Sequence, residues 1–310
     1  MNYDHIFVTA GASYLDVDAY ACCVACSELL RLQGIAATAF SSAKFNYSVS
    51  NCVLAQGKCV QTHLEPQKLL NSSAFIVVDV SDPQFFDLIV DESKIIAVID
   101  HHVGFEEYWM KRLGSSAHIE FIGAAVTLIF EEWMRLGFVS ALSKETAKIM
   151  LAGILDNTLN LSAAVTTQRD IDTKNKLCEI ADVGDDWCIA YFNECQQFIE
   201  SDLKHAIQSD IKVIRETKNL PATIGQLTIW DAQSLLSKRD AIESAMNEKS
   251  ASWLINIISI KDKKSYFLCN DRTYQHRIEA IFGVAFTDDV AIAERMWLRK
   301  EILKICDYQK

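Results

Sequence analysis

Apolar residues in this chain gather into short runs that stop at acidic residues. The clearest is Ile95-Ile-Ala-Val-Ile-Asp-His-His-Val103, where five apolar positions lead straight into Asp100, His101 and His102. A continuous run of this kind predicts a buried parallel strand rather than a half-exposed one, because a strand covered on both faces needs no polar alternation. Ile6-Phe-Val-Thr9, Ala37 to Phe40 and Ala74-Phe-Ile-Val-Val-Asp79 read the same way. Between them lie helical patterns. One runs from about Ala19 to Leu32, with Asp18 as N-cap and Gly34 as stop. A second opens at Glu120 and reaches about Leu136. A third covers Ser143 to Leu155 and ends at Asp156, and a fourth starts at Thr166-Thr-Gln-Arg-Asp170. Strands alternating with helices over short links give the α/β class, a parallel sheet with helices on both faces.

The pattern weakens from about Asp185 to Cys195. We place a domain junction there, with one domain over residues 1–187 and a smaller one over 196–310. The second begins with a helix near Phe198 and holds strand candidates at Thr223 to Trp230, Ser252 to Ser259 and Ser265 to Cys269. This resembles an antiparallel α+β unit.

Composition narrows the partners. Of 310 residues 50% are hydrophobic and 23% charged, enough for a substantial core, and two domains suit the length. The net charge of −11 argues against a broad nucleic-acid surface, which needs a basic face, but leaves room for a small anionic substrate. No apolar run is long enough to span a bilayer, and Met1-Asn-Tyr-Asp-His5 lacks a basic, hydrophobic leader, so we expect a cytoplasmic protein. The ten cysteines are scattered through apolar segments, and Cys23-Val-Ala-Cys26 lies in an Ala-rich helical pattern. Buried, reduced thiols are the expectation, not a disulfide framework or a redox pair.

Chemistry collects at the ends of the apolar runs: Asp16 with Asp18, then Asp79, then Asp100 with His101 and His102, then Asp156. Carboxylates at one sheet edge repel one another unless a cation holds them. Oxygen donors with one or two imidazoles suit Mn²⁺, Mg²⁺ or a similar ion better than a thiolate zinc site. Two such ions clamp a phosphoryl group for in-line displacement.

Asp16-Val-Asp18, Val78-Asp79, Asp100-His-His102 and Gly153-Ile-Leu-Asp-Asn-Thr-Leu-Asn160 resemble, in order and spacing, the motifs of the DHH phosphoesterase superfamily. The nearest branch is the family II, manganese-dependent inorganic pyrophosphatases. Ser209-Asp-Ile-Lys212, Ile224-Gly-Gln-Leu227 and Leu298-Arg-Lys300 resemble that family's C-terminal motifs. The resemblance implies that residues 1–187 form a DHH metal-binding catalytic domain and 196–310 a substrate-closing domain. It also implies one or two ions, Mn with Co or Mg as alternatives. Asp79 would bridge them, Asp18, His101 and Asp156 would hold one, and Asp16 the other. Asp100 would orient a histidine, His102 would face the substrate, and Lys212, Arg299 and Lys300 would close on phosphate. A homodimer through the N-terminal domain is compatible with this layout.

The sequence departs from the family pattern at three places. Ala12 stands where the family has a metal-ligating histidine, Tyr14-Leu15 replaces Asn-Pro, and Leu298 replaces a serine. An alanine ligates nothing, so the ion at Asp16 loses a neutral donor. The leading expectation is a phosphohydrolase acting on pyrophosphate or short polyphosphate. The alternatives are a degenerate metal- or nucleotide-binding protein and a phosphodiesterase of short oligonucleotides or cyclic dinucleotides. The absence of any Gly-Gly pair counts against the last. Terminal Arg299 and Lys300 have a competing reading as solvated positions of a helix with Ile292, Met296, Leu298, Ile302 and Ile305 on one face. Lys212 competes with an ordinary surface lysine, and Arg272, His276 and Arg277 form a further cationic cluster.

Overall fold

A computed structural model describes residues 3–63, 72–214 and 218–308. Met1 and Asn2, which entered the reading of the N-terminus, lie outside the described residues. The chain separates into two compact units, residues 1–191 and 192–310.

In the first unit the strands are β1 (His5–Thr9), β2 (Tyr14–Leu15), β3 (Ala37–Phe40), β4 (Lys44–Phe45), β5 (Ser73–Val78), β6 (Ile95–Asp100) and β7 (Ala117–Ile119). Five of them form an all-parallel sheet in the order β3-β1-β5-β6-β7, while β2 and β4 pair separately. Every residue of β5 is buried, as its uninterrupted apolar sequence requires of a strand covered on both faces. On one face Phe7, Phe75, Val77 and Val98 pack around Trp109 of α3 (Glu106–Leu113). Alternation sends Ile6, Val8, Ala74 and Ile76 to the other face, the side of α1 (Val17–Leu32) and α4 (Ala125–Arg135), which pack against the strands. A short α2 (Asn51–Leu54), then α5 (Lys144–Asn157) and α6 (Gln168–Ala181), complete the layer, with α5 between α1 and α6.

The strand order reverses at β1, whose chain leaves toward β3 on one side while β5 joins on the other. Parallel sheets open a crevice at such a point, beyond the C-terminal strand ends. The loops after β1 and β5 carry Asp16 and Asp79, and β6 ends in Asp100.

Local details differ from the sequence expectation. Asp16, not Asp18, caps α1, its Oδ1 accepting from Ala19 N at 3.0 Å. Both aspartates have capping chemistry, and the helix starts two residues earlier than expected, which turns Asp18 into the interior. Helix α4 starts at Ala125 rather than Glu120. Gly123 is pressed against Asp170 and Thr158, where an added Cβ would lie 2.6 Å from Asp170 Oδ2, and Ala124 is extended. The weakly patterned stretch after Asp185 is one continuous helix, α7 (Asp185–Ser201). Cys22, Cys23 and Cys26 are buried in α1, where burial pushes their thiols up, Cys26 to about 12.

The second unit contains α8 (Leu203–Ser209), β8 (Ile211–Val213), β9 (Thr223–Ile229), α9 (Ala232–Leu236), α10 (Arg239–Asn247), β10 (Trp253–Ser259), β11 (Lys264–Cys269), α11 (Arg272–Phe282), β12 (Phe286–Thr287), β13 (Val290–Ala293) and α12 (Arg299–Tyr308). Its sheet runs β12-β13-β11-β10-β9-β8 and is mixed rather than antiparallel, because β9 and β10 pair in parallel. A helical crossover, α9 with α10, joins those two strands, and parallel neighbours require such a connection. Ile224, Leu254, Phe267, Ile278 and Ile302 meet in its core. The terminal helix begins only at Arg299 and buries Ile302 and Cys306, whereas Ile292 belongs to β13, so the expected long apolar face is not formed. Among the described residues no helix is long and apolar enough to cross a membrane.

Candidate metal centre

Asp79 follows the last residue of β5 and continues the ladder, its N–H donating to Ile99 O at 2.9 Å. Its φ of 56° lies in the left-handed region, which Asp tolerates better than most residues at a cost of about 1–2 kcal/mol. The carboxylate is buried and its Oδ1 has no hydrogen-bond partner. Two imidazoles approach that oxygen, His101 Nε2 at 3.4 Å and His102 Nδ1 at 3.9 Å. Ligand atoms of Asp79, His101 and His102 all lie within 4.8 Å of one another.

The end of β6 and the segment just before α4 fix the histidines. His101 Nδ1 faces Ile122 O at 3.1 Å, and a carbonyl only accepts, so Nδ1 carries the proton and Nε2 is the basic nitrogen. His102 Nδ1 meets Asp100 Oδ1 at 2.9 Å. That same oxygen accepts the backbone N–H groups of His101 and His102, at 2.7 and 3.1 Å. Burial alone would raise the Asp100 carboxyl, but the His102 hydrogen bond and charge outweigh it and hold the group below the usual range. The rings pack edge to face at 4.4 Å.

The other carboxylates crowd the same place. Burial, then repulsion from Asp18, Asp16 and Asp100, drives Asp79 well above the ordinary carboxylate range. Burial and the Asp16 charge push Asp18 and Asp156 up to about 7. Asp16 is raised by burial, with the Ala19 N–H and His102 opposing. A set of buried and half-buried acids that disfavour one another's charge, one of them with an orphaned oxygen, is stabilised by a divalent cation. Carboxylate and imidazole donors fit an ion of the Mn²⁺ class.

Each expected ligand sits differently. Asp18 is completely buried at the N-terminus of α4. Oδ2 accepts from Ala125 N at 2.8 Å, Oδ1 from Val126 N at 3.0 Å, and the Asn157 amide also donates to it. It thus caps a helix 107 residues away, and the helix dipole favours its charge. Asp156 on α5 accepts from Tyr191 Oη at 3.3 Å, a hydroxyl also 3.1 Å from Ser48 O. Ala12 offers no donor side chain. Its N–H is held by Phe85 O at 2.9 Å.

Three contributors were not assigned from sequence. Asp170 takes hydrogen bonds from Gly123 N, Thr127 Oγ1, Thr167 N and Thr167 Oγ1, pinning the start of α4 that in turn binds Asp18. Its signal was the Thr167-to-Asp170 capping-box spacing. Asn157 falls within Gly153–Asn160, where the resemblance assigns it no role. Tyr191 had no local signal.

In the second unit Arg299 forks onto Asp210, Nη1 to the carbonyl and Nη2 to Oδ1, both at 2.6 Å. Its N–H donates to Gln226 Oε1 at 2.6 Å. The three C-terminal motif segments are therefore joined at residues 210, 226 and 299. Lys212 on β8 and Lys300 are exposed. His276, on α11, pairs with Glu279 at 3.3 Å, and Arg277 lies over the Tyr274 ring.

Comparison with known proteins places this geometry. Residues 5–154 match the DHH family, N-terminal domain. The chain is 26% identical over 220 residues to a manganese-dependent inorganic pyrophosphatase of Methanothrix thermoacetophila, covering 68% of each. It shares its fold with a Methanococcus jannaschii protein assigned to the family II inorganic pyrophosphatases, with TM-score 0.65, 19% identity and 98% of each chain covered. An exopolyphosphatase-related protein from Bacteroides fragilis aligns with TM-score 0.55 at 15% identity, over 99% of this chain and 91% of that one.

Proposed function

We propose that this chain, a member of the DHH family through its N-terminal unit, is a metal-dependent phosphohydrolase that cleaves a small phosphoanhydride, pyrophosphate or short polyphosphate. The observation that carries the reading is Asp79 Oδ1, buried without a hydrogen-bond partner and faced by two imidazoles. Relatives named manganese-dependent inorganic pyrophosphatases support a divalent metal, and manganese foremost. An exopolyphosphatase-related neighbour of the same fold keeps short polyphosphates in the substrate class.

Asp79 and His101 would hold the metal, with Asp16, Asp18 and Asp156 as the surrounding acids and Asp79 the residue shared if two ions bind. A bound divalent ion polarises a phosphoryl oxygen and lowers the pKa of water at the site. The protein's own part is to keep the acids close despite their repulsion. Ile122 O holds the His101 tautomer and the α4 N-terminus holds Asp18. Lys212, Arg299 and Lys300 are the cations of the second unit suited to phosphate oxygens, as charge-assisted donors. We place the protein in the cytoplasm and read any self-association as a homodimer through the N-terminal unit.

Phosphate release decides the matter. Chelated protein, reloaded with Mn²⁺, Co²⁺ or Mg²⁺, is offered pyrophosphate, tripolyphosphate and a cyclic dinucleotide. Cleavage of the phosphoanhydrides that needs the metal is expected. Turnover of the cyclic dinucleotide alone would move the protein to the phosphodiesterases, and metal binding without any release would make it a non-catalytic binder.

A further inference from the structure

The junction of α6 and α7 brings two cysteines together outside the metal centre. Helix α6 ends at a left-handed Asp182, φ 56°, and the Val183 N–H returns to Cys178 O at 3.1 Å. That closure lets three residues, Asp182 to Gly184, connect the helices. It sets Cys178 in the last turn of α6 beside Cys188 in the first turn of α7, and their thiols share a hydrogen bond. Cys188 Sγ also lies 3.8 Å from Gly184 O, and Lys174, one turn before Cys178, reaches Asp185 Oδ1 at 3.2 Å. The two thiols are unequal. Cys178 is half-buried and within reach of a small solute, whereas Cys188 is 2% exposed. The Cys188 hydrogen bond, aided by the Lys174 ammonium, brings the Cys178 thiol down to about 7, while the same bond and burial push Cys188 up. Asp185 and Glu179 are the acids near Cys178, and they oppose that fall.

We propose that Cys178 and Cys188 form an oxidation site, closed to a disulfide by a hydroperoxide and reopened by a dithiol reductant. The inference is independent of the metal-centre reading. The Cys178 thiolate attacks a peroxide oxygen. An S–O bond forms as the O–O bond breaks, and the leaving oxygen departs protonated, as water or an alcohol. Cys188 then gives up its proton and attacks the Cys178 sulfur. An S–S bond forms, the S–O bond breaks, and the proton leaves with that oxygen as water. Two thiols lose two electrons and one peroxide gains them. Sulfurs already in hydrogen-bond contact need only a short approach to a bond of about 2.05 Å. Cys22, Cys23 and Cys26 make the contrast. They are buried in α1 and burial keeps them protonated, so their part is packing.

Peptide mapping of the whole chain, reduced and then treated with hydrogen peroxide, tests this. Glu179 and Glu194 separate Cys178, Cys188 and Cys195, so digestion after glutamate distinguishes every pairing among them. The expected product joins Cys178 to Cys188, leaves the denatured protein two thiols short on alkylation, and disappears with dithiothreitol. Cys188→Ser should stop at a Cys178 sulfenic acid that dimedone captures, and Cys178→Ser should leave Cys188 a free thiol. Full alkylation of both cysteines after peroxide would overturn the proposal, as would Cys178 linked to Cys59 or to a second chain. Oxidation of Cys178 to the sulfinic acid with Cys188 still free would overturn it too. These three outcomes are read on the unmodified protein, so a variant that fails to fold does not decide the matter.

Discussion

The two units treat their charged groups in opposite ways. In the first, Asp18 is fully buried, the Asp79 side chain is buried and Asp16 and Asp156 are half-buried, and each is pushed above its ordinary range, with Asp79 Oδ1 left without a hydrogen bond. In the second, Arg299 is already matched. Its guanidinium forks onto Asp210 and its backbone N–H is held by Gln226. The first arrangement stores unfavourable interactions that a cation relieves, whereas the second is complete as it stands. Binding capacity is therefore concentrated where the fold is least content, and a residue's family motif alone does not say which situation it is in.

Asp79→Asn breaks the comparison most sharply. If Asp79 is the shared ligand, the variant should lose metal binding and turnover by on the order of a thousandfold or more, as expected where a metal-activated nucleophile is lost. The same change removes one charge from a cluster of mutually repelling acids. The metal-free variant should therefore melt higher than the metal-free parent, measured by calorimetry at pH 7.5. A structural role for Asp79 predicts the reverse sign, a lower melting temperature with activity following the folded fraction.

The pH dependence of the metal-free protein is the next effect in size. The folded-state values of Asp18 and Asp156 are raised from 3.8 to about 7. A raised value means the folded state holds protons more tightly, so its stabilising contribution is full below about pH 4 and is lost as pH climbs through about 7. Shifts of this size correspond to a few kcal/mol in order of magnitude. Glu120, lowered to about 2 chiefly by its Arg169 hydrogen bonds, acts with the opposite sign but only in more acid solution. Metal-free protein should thus be more stable at pH 5 than at pH 8. Saturating Mn²⁺ should erase or invert that slope, with proton release on binding near pH 6. A metal-free melting temperature that rises from pH 5 to pH 8 would contradict the crowded-acid picture.

The parallel strands of the first unit were legible because burial on both faces writes itself as unbroken apolar runs. The acids at their ends were legible for the same reason: the C-terminal ends of parallel strands share one edge. What was not legible depends on partners far along the chain. Asp18 was read as a cap for α1 and as a ligand, yet its oxygens are met by α4 and Asn157, which no local pattern around residue 18 announces. The start of α4 is misplaced because Phe121 to Phe130 is apolar but for Gly123 and Thr127, whereas Asp170 holds Gly123 outside the helix and Asp18 takes the first N–H groups from Ala125 on. The fork of Arg299 on Asp210 spans 89 residues and left no trace in local periodicity.

Arg299→Ala should have a smaller effect, and it sharpens the comparison from the other side. Two of the five guanidinium N–H donors are committed to Asp210, which leaves three for phosphate. A lost charge-assisted bond is worth about 1.5–3 kcal/mol, so kcat/KM should fall at least roughly tenfold with metal content unchanged. The variant also strands Asp210, whose carboxyl burial already raises, so the melting temperature should drop as well. Steady-state kinetics at a temperature well below both melting points separates the two consequences. An unchanged kcat/KM beside a lowered melting temperature would make Arg299 a structural clamp of the second unit and nothing more.

The smallest expected effect lies at Leu298, at the head of the same helix. Glu301 Oε2 accepts from Leu298 N at 2.8 Å, while Glu301 N and Ile302 N bond back to Leu298 O at 2.9 and 3.0 Å. This is the returning half of a capping box, with leucine at the position where a hydroxyl would supply the outgoing half. Leu298→Ser should let the serine Oγ accept from first-turn N–H groups of α12, raising stability by about 0.5–2 kcal/mol. Offsetting that, Leu298 is only partly buried, so loss of its side chain removes limited apolar contact. The net change in denaturant midpoint should be positive and at most modest, and it should persist in the Arg299→Ala background if cap and fork act independently. A double-mutant cycle in which the gain vanishes would instead show that α12 is seated through Arg299 on Asp210, and that the cap matters only once that fork has placed the helix.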